Sequence, residues 1–187
     1  GAPCDFLIGS REDFLHAKGD RIINPALGIV DTVYREVVNG CLSLAGLSTF
    51  STIFKPNHLY VIYGETYGGK INGAKQYTNI QAYNFRAFDI IEMDLPSAYG
   101  ILSMKQEDIS SWREHGGQPF ISVEKLIYIC DCFSLNRVPY IKTIVGTELP
   151  TTIKETFSWL QDFAKSTATI EPEYSGTAKA EGVVVRT

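Results

Sequence analysis

Long apolar runs are missing from these 187 residues. No stretch is apolar over a span long enough to cross a bilayer as a helix, and the first residues do not read as a signal peptide. An excess of positive charge is missing too: lysine and arginine number 17 against 21 acidic residues, for a net charge of −4. The sequence pI of about 5.4 argues against a generic basic coat for nucleic acid and leaves room only for a local basic groove. Cysteine is scarce, with four in all. Cys130-Asp131-Cys132 separates its sulfurs by one residue rather than the two to four of a common zinc knuckle. Cys4, Cys41, Cys130 and Cys132 therefore read as reduced packing or surface residues of an intracellular, cytoplasmic protein. Histidine is scarcer still. His16, His58 and His115 are far apart in sequence and read as surface or capping residues. No Ser/His/Asp or Cys/His spacing for nucleophilic catalysis stands out. Repeats, low-complexity tracts and domain linkers are also lacking.

What is present organises around residues 59–69, LYVIYGETYGG. Tyr60, Val61, Ile62 and Tyr63 are β-branched or aromatic and predict a strand that Gly64 stops. Glu65 is then expected just past the strand end, where Gly64 lets backbone approach a ligand. A second strand follows at residues 84–90, NFRAFDI. Alternation puts Phe85, Ala87 and Asp89 on one face and Arg86, Phe88 and Ile90 on the other. One aromatic is thus free to stack on a flat ligand while the opposite face anchors the scaffold.

Around this centre the pattern is mixed. Residues 4–10 predict a short strand, and residues 11–20 read as polar and turn-like. Asp31 or Thr32 is expected to cap a helix through Val33, Tyr34, Val37 and Val38, stopping at Gly40. Residues 43–54 are ambiguous, and Lys55-Pro56-Asn57 is a turn. Residues 70–83 form a loop that interleaves Lys70, Lys75, Tyr77 and Tyr83, side chains suited to phosphate and base contacts. Leu95-Pro96-Ser97 is expected to end the second strand. A short helix is predicted over residues 105–114, and another after Ser122 with Val123, Leu126, Ile127 and Cys130 at helical spacing. Residues 136–141 predict a strand. Thr151 or Thr152 caps a helix through Phe157, Leu160 and Phe163, closed by Ala164 and Lys165, and a last strand covers residues 182–186. Short strands and helices without regular βαβ alternation argue for α+β. A hydrophobic content of 44% suits one domain over residues 1–187. The start at Gly1-Ala2-Pro3, without methionine, and the stop after an apolar strand pattern read as cuts at both ends.

Four pieces carry a family resemblance. Tyr63-Gly64-Glu65 with Gly68-Gly69 resembles motif III of the covalent nucleotidyltransferases, the superfamily of polynucleotide ligases and mRNA capping enzymes. Phe85-Arg86-Ala87-Phe88-Asp89-Ile90 resembles their motif IIIa, and Glu181-Gly182-Val183-Val184-Val185-Arg186-Thr187 their motif IV. Phe6-Leu7-Ile8-Gly9-Ser10-Arg11 is similar to the strand after the nucleophile motif in RNA ligases, which ends on a functional arginine. The pieces stand in the family's order. The tract from Gly64 to Asp89 most resembles RNA ligases of the second bacteriophage type, which include RNA-repair and RNA-editing ligases.

The resemblance implies an ATP-grasp-like nucleotidyltransferase (adenylation) domain, with antiparallel sheets flanking a nucleotide cleft. It implies ATP and Mg²⁺ (or Mn²⁺) as cofactors and RNA with 5′-phosphate and 3′-hydroxyl ends as substrate. AMP would pass from ATP to a lysine, then to the 5′-phosphate, and the 3′-hydroxyl would displace it. Glu65 would contact the ribose or help hold the cation. Glu181 would help bind Mg²⁺ at the phosphates, since hard cations take carboxylate oxygen. Phe88 would stack on the purine, and Arg11 and Arg186 would contact phosphate, with Arg11 suited to bidentate geometry. Two motifs depart from the pattern. The nucleophile motif, Lys-x-Asp-Gly or Lys-x-x-Gly, should precede Phe6, yet the first lysine is Lys18. Lys70-Ile71-Asn72-Gly73 fits the loose spelling in the wrong order. The paired lysines expected after Arg186 are also absent. The alternatives are a catalytically incomplete nucleotide- or RNA-binding module, or a DNA ligase or mRNA capping guanylyltransferase.

Overall fold

A computed structural model describes residues 5–17, 19–23, 28–44, 48–71, 82–161 and 183–185. The chain divides into two compact units, Gly1–Thr66 with Asn84–Val138, and Tyr67–Tyr83 with Pro139–Thr187.

The first unit opens with a three-stranded antiparallel sheet of β1 (Leu7–Gly9), β2 (Phe14–Ala17) and β3 (Asp20–Arg21), in which Ile8 pairs with His16 and His16 with Arg21. Residues 11–20 are therefore not merely a polar turn. The turn is confined to Ser10–Asp13, where the Ser10 hydroxyl accepts from the amides of Glu12 at 3.2 Å and Asp13 at 3.0 Å. A serine that closes its own turn leaves Phe14-Leu15-His16-Ala17 to return as a strand. His16 is also not a surface histidine: it is 7% exposed and its ring stacks on Phe6 at 5.2 Å.

A helical run follows, made of α1 (Ile29–Val33), a π-helical stretch (Tyr34–Val38) and α2 (Asn39–Leu44). It starts after Gly28, whose φ of 60° is left-handed, not at Asp31 or Thr32. It does not stop at Gly40. A Cβ there would lie 3.3 Å from the Phe133 carbonyl oxygen, so this glycine serves a close approach rather than an end. Val38 belongs to a small core with Ile8, Leu15 and Val30, while Val37 belongs to the main core. The ambiguous residues 43–54 include α3 (Ser48–Ile53).

The main core lies between β5 (Tyr83–Asp94) and α6 (Val123–Phe133). Phe85, Ala87 and Ile90 meet Leu126, Ile129, Cys130 and Phe133 there. As expected, Ser122 caps α6, accepting from the Lys125 amide at 3.3 Å. The buried positions recur at helical spacing, which makes one face of α6 apolar. Cys130 is on that face, and burial pushes its thiol up to about 11, which keeps it protonated and unreactive.

β4 (His58–Gly68) pairs with β5 in a two-stranded sheet. Gly64 does not end this strand. A Cβ on Gly64 would come 2.1 Å from the Phe85 ring and 2.5 Å from the Arg86 carbonyl oxygen. The glycine is the flat place over which Phe85 lies. The strand ends at Gly68 and Gly69, with φ of 83° and 55°.

Leu95-Pro96-Ser97 begins a helix, α4 (Leu95–Leu102), where only a strand end was expected. Asp94 caps it, accepting from the Ser97 amide and hydroxyl at 2.9 Å each. Pro96 falls in the first turn, where its missing N–H costs nothing. Next comes α5 (Gln106–Glu114), one residue inside the expected helix. Residues 136–141 form no strand. The Ala87 amide donates to the Asn136 carbonyl at 2.8 Å and the Val138 amide to the Ala87 carbonyl at 2.9 Å, giving one isolated bridge.

In the second unit, Thr152 starts α7 (Ile153–Gln161) with a side-chain cap. Its hydroxyl accepts from the Glu155 amide at 3.3 Å and donates to the Glu155 carboxylate at 2.8 Å. The expected continuation through Phe163 to Lys165, and Cys4, lie outside the described residues. Of the expected last strand, residues 183–185 alone are described, and they form none. The described elements are thus mixed helices and small sheets, in keeping with α+β. No helix among them is long and apolar enough to cross a membrane.

Candidate functional site

Three half-exposed aromatic rings converge in the first unit. Tyr63 on β4 lies 6.4 Å from Phe88 on β5, with planes 25° apart, and 6.2 Å from Phe120 at 59°. They remain 37%, 44% and 41% exposed respectively. Large aromatics left this open mark a surface that gains by being covered. The strand period explains why Phe88 is there. Phe85 and Ala87 are buried on one face, so Phe88 must emerge on the other. Arg86, two residues before it, is buried and donates to the Arg137 carbonyl at 2.6 Å, while Ile90, expected beside Phe88, packs instead in the main core with Phe85 and Ala87. Phe88 is therefore the exposed ring of an otherwise covered strand segment.

Glu65 is two residues beyond Tyr63 on β4, and so on the same face. It lies within the strand rather than past its end and is exposed. No ion pair engages it among the described residues. Asp89 accepts from the Ile90 amide at 3.0 Å. Arg11 is exposed at the β1–β2 turn. No hydrogen bond or ion pair joins it to Tyr63, Glu65 or Phe88 among the described residues. Glu181, Arg186, Lys75 and Tyr77 lie outside the described residues. The structure thus places Phe88 beside Tyr63 and leaves Glu65 two residues along β4 from Tyr63, and it adds two residues that were not expected. Tyr63 was legible from the two-residue period. Phe120 had no local signal, because it arrives from a distant loop.

Phe120 also borders a cavity of about 780 Å³ lined by Lys55, Glu92, Asp94, Trp112 and Lys125. Glu92, 11% exposed, takes Lys55 at 2.6 Å and Lys125 on its other oxygen. Burial would push its carboxyl up, but the hydrogen bonds and charges of Lys125 and Lys55 outweigh that and hold it at about 2. Lys55 is raised in turn, by its hydrogen bond and attraction to Glu92. A depressed folded-state value means that the carboxylate's contribution is complete above its ordinary value of 4.5 and is lost as pH falls through about 2. The shift is worth about 2 kcal/mol once partial exposure of the two lysines is allowed for. Acid titration of the melting temperature is expected to show this loss, and Glu92→Gln to flatten the pH dependence between these limits. An unchanged slope would remove Glu92 as its source.

No group of three or more potential metal ligands occurs among the described residues. A single carboxylate still fits Mg²⁺, which is commonly held by one or two protein carboxylates together with nucleotide phosphates and water. The RNA ligase family matches residues 6–187, a span that includes both strands of the aromatic face. The chain belongs to the RNA ligase family. No curated protein and no solved structure matches it. Family membership gives the aromatic face its context: an RNA-joining enzyme, with RNA as the substrate class.

Proposed function

We propose that this RNA ligase chain is the nucleotide-binding core of an ATP-dependent enzyme of the RNA-repair type, built as an adenylation domain with sheets flanking a nucleotide cleft. The observation that carries this is the half-open ring pair of Tyr63 and Phe88 within the family-matched span, with the exposed Glu65 two residues beyond Tyr63 on the same strand. In this reading Phe88 stacks on the adenine, Tyr63 backs it, and Glu65 takes the ribose hydroxyls or a cation. Arg11 contacts phosphate, joined by Glu181 and Arg186 from the last piece of the matched sequence. Bound Mg²⁺ would neutralise phosphate charge as the α-phosphate is attacked, with Glu65 and Glu181 as its protein ligands.

The reaction joins a 5′-phosphate to a 3′-hydroxyl through an adenylate carried on a lysine. No lysine occupies the expected place before Phe6, so the tasks assigned to these residues are binding and orientation. The covalent step falls to a lysine outside the four matched pieces. Calorimetric titration of this chain with ATP and Mg²⁺ tests the binding role, and intact mass after the same incubation tests the covalent one. Binding without a mass gain is expected. An adenylate adduct would place the nucleophile on this chain, and failure to bind ATP would overturn the nucleotide site.

A further inference from the structure

The cavity of about 780 Å³ that Phe120 borders is in the size range of ligand pockets, and it lies apart from Glu65. Gly64, the neighbour of Glu65, packs against Phe85 and Arg86. Glu92 is six residues beyond Arg86 on β5, about 20 Å at the usual rise of a strand. Phe88 falls between them, so Glu65 and Glu92 are on opposite sides of that ring along the sheet.

The charged end of the cavity is a cluster of three. Glu92 takes Lys55 on one oxygen and Lys125 on the other. The other carboxylate in the lining, Asp94, has both oxygens committed to the amide and hydroxyl of Ser97. The carboxylate oxygens that line the cavity are thus spent. The ammonium donors are not. Each ammonium carries three N–H groups, and Glu92 is the acidic partner of both among the described residues. The two lysine side chains remain 58% and 37% exposed. Donors in excess suit a ligand rich in acceptors, such as phosphate. Trp112 and Met104 add an apolar part to the same lining. Trp112 is set in place by Gly117, where a Cβ would come 2.1 Å from Cδ1 and Nε1 of the indole. The Gly117 amide also donates to the Trp112 carbonyl at 2.8 Å. An indole fixed in this way is a platform for a base.

We propose that this cavity binds one internal nucleotide of the RNA strand, away from the ends being joined. Lys55 and Lys125 contact its phosphodiester, and Trp112 stacks on its base. The choice of RNA rests on the family, and the distance from the reacting ends rests on the nucleotide site at Phe88 and Glu65. Glu92 is a positioning residue. It holds two flexible side chains in one place, which lowers the cost of ordering them on binding. Two cations against one carboxylate leave the cluster itself positive. That matters in a chain of net charge −4, which draws RNA in by no general field.

The test uses fluorescently labelled short single-stranded RNAs with a 5′-phosphate or a 5′-hydroxyl, with ATP titrated in parallel. Lys55→Gln is expected to weaken RNA binding about tenfold, the scale of one charge-assisted contact. It is also expected to lower the slope of log affinity against log salt by about 0.7, as loss of one phosphate contact to a single strand does. Met104→Glu leaves the lysine cluster intact and sets a carboxylate in the cavity, at a position 40% exposed. Repulsion of phosphate is expected to weaken RNA binding to a similar degree. Both RNAs should weaken equally, with ATP binding unchanged. Unchanged RNA affinity in Met104→Glu overturns the proposal, whatever Lys55→Gln does to the fold. Weakening confined to the 5′-phosphorylated RNA overturns it by placing a joined end in the cavity, and loss of ATP binding overturns it by placing ATP there. Absence of RNA binding by the unaltered chain overturns it as well, while ATP binding alone still supports the nucleotide site.

Discussion

Phe88→Ala is expected to weaken ATP binding by roughly ten- to a hundredfold, with little change in stability. The size follows from the stacking energy of a base on an aromatic ring, about 1–3 kcal/mol by alanine substitution. The stability claim follows from exposure. At 44% exposed, Phe88 gives up far less buried area on truncation than Phe85, which is 5% exposed. Phe88→Trp should restore most of the affinity, because the stack needs a flat face rather than a particular ring. Calorimetry with ATP and Mg²⁺, paired with thermal melting, separates the two effects. Equal affinity of Phe88→Ala and the unaltered chain would show that the ring is not a base platform. A large drop in melting temperature would show it to be a packing residue after all.

Gly64→Ala is expected to be among the most destabilising single-methyl additions in the chain. The new Cβ would sit 2.1 Å from Phe85 Cζ and 2.5 Å from the Arg86 carbonyl oxygen. The ring is locked in the core, and the carbonyl belongs to a paired strand, so neither obstacle gives way cheaply. Overpacking of this kind costs about 1–3 kcal/mol, occasionally more. The strain acts between Tyr63 and Glu65, so ATP affinity should fall together with the denaturation midpoint. Gly100→Ala is the control. Gly100 is inside α4, and a Cβ there meets nothing within 4 Å. It should be neutral or stabilise by up to about 1 kcal/mol, as glycine is a poor helix former. If both substitutions behave alike, close strand approach is not what Gly64 provides.

The residues that misled as sequence did so for particular reasons. Pro96 reads as a breaker until Asp94 is seen to cap the helix that Pro96 helps begin. Gly64 and Gly40 read as stops because glycine commonly ends elements. Both instead admit a neighbour, Phe85 in one case and Phe133 in the other. His16 reads as a surface residue because its isolation from acids says nothing of Phe6, which comes to it across the sheet. Asn136 and Val138 do bond to Ala87, but too briefly to make a strand.

The sequence by itself determined the local features. Two-residue alternation put Phe88 opposite Phe85 and Ala87, and Ser122 and Thr152 marked helix starts that their side chains do cap. The resemblance to the RNA ligases was likewise read from short contiguous pieces, and the family match over residues 6–187 agrees with it at the level of the family. The tertiary structure decided which surfaces came together. Phe120 reaching Tyr63, and Lys55 and Lys125 closing on Glu92, join residues distant in sequence. Periodicity and capping act over one or two turns of chain, and these pairings depend on how the packed core places one element against another.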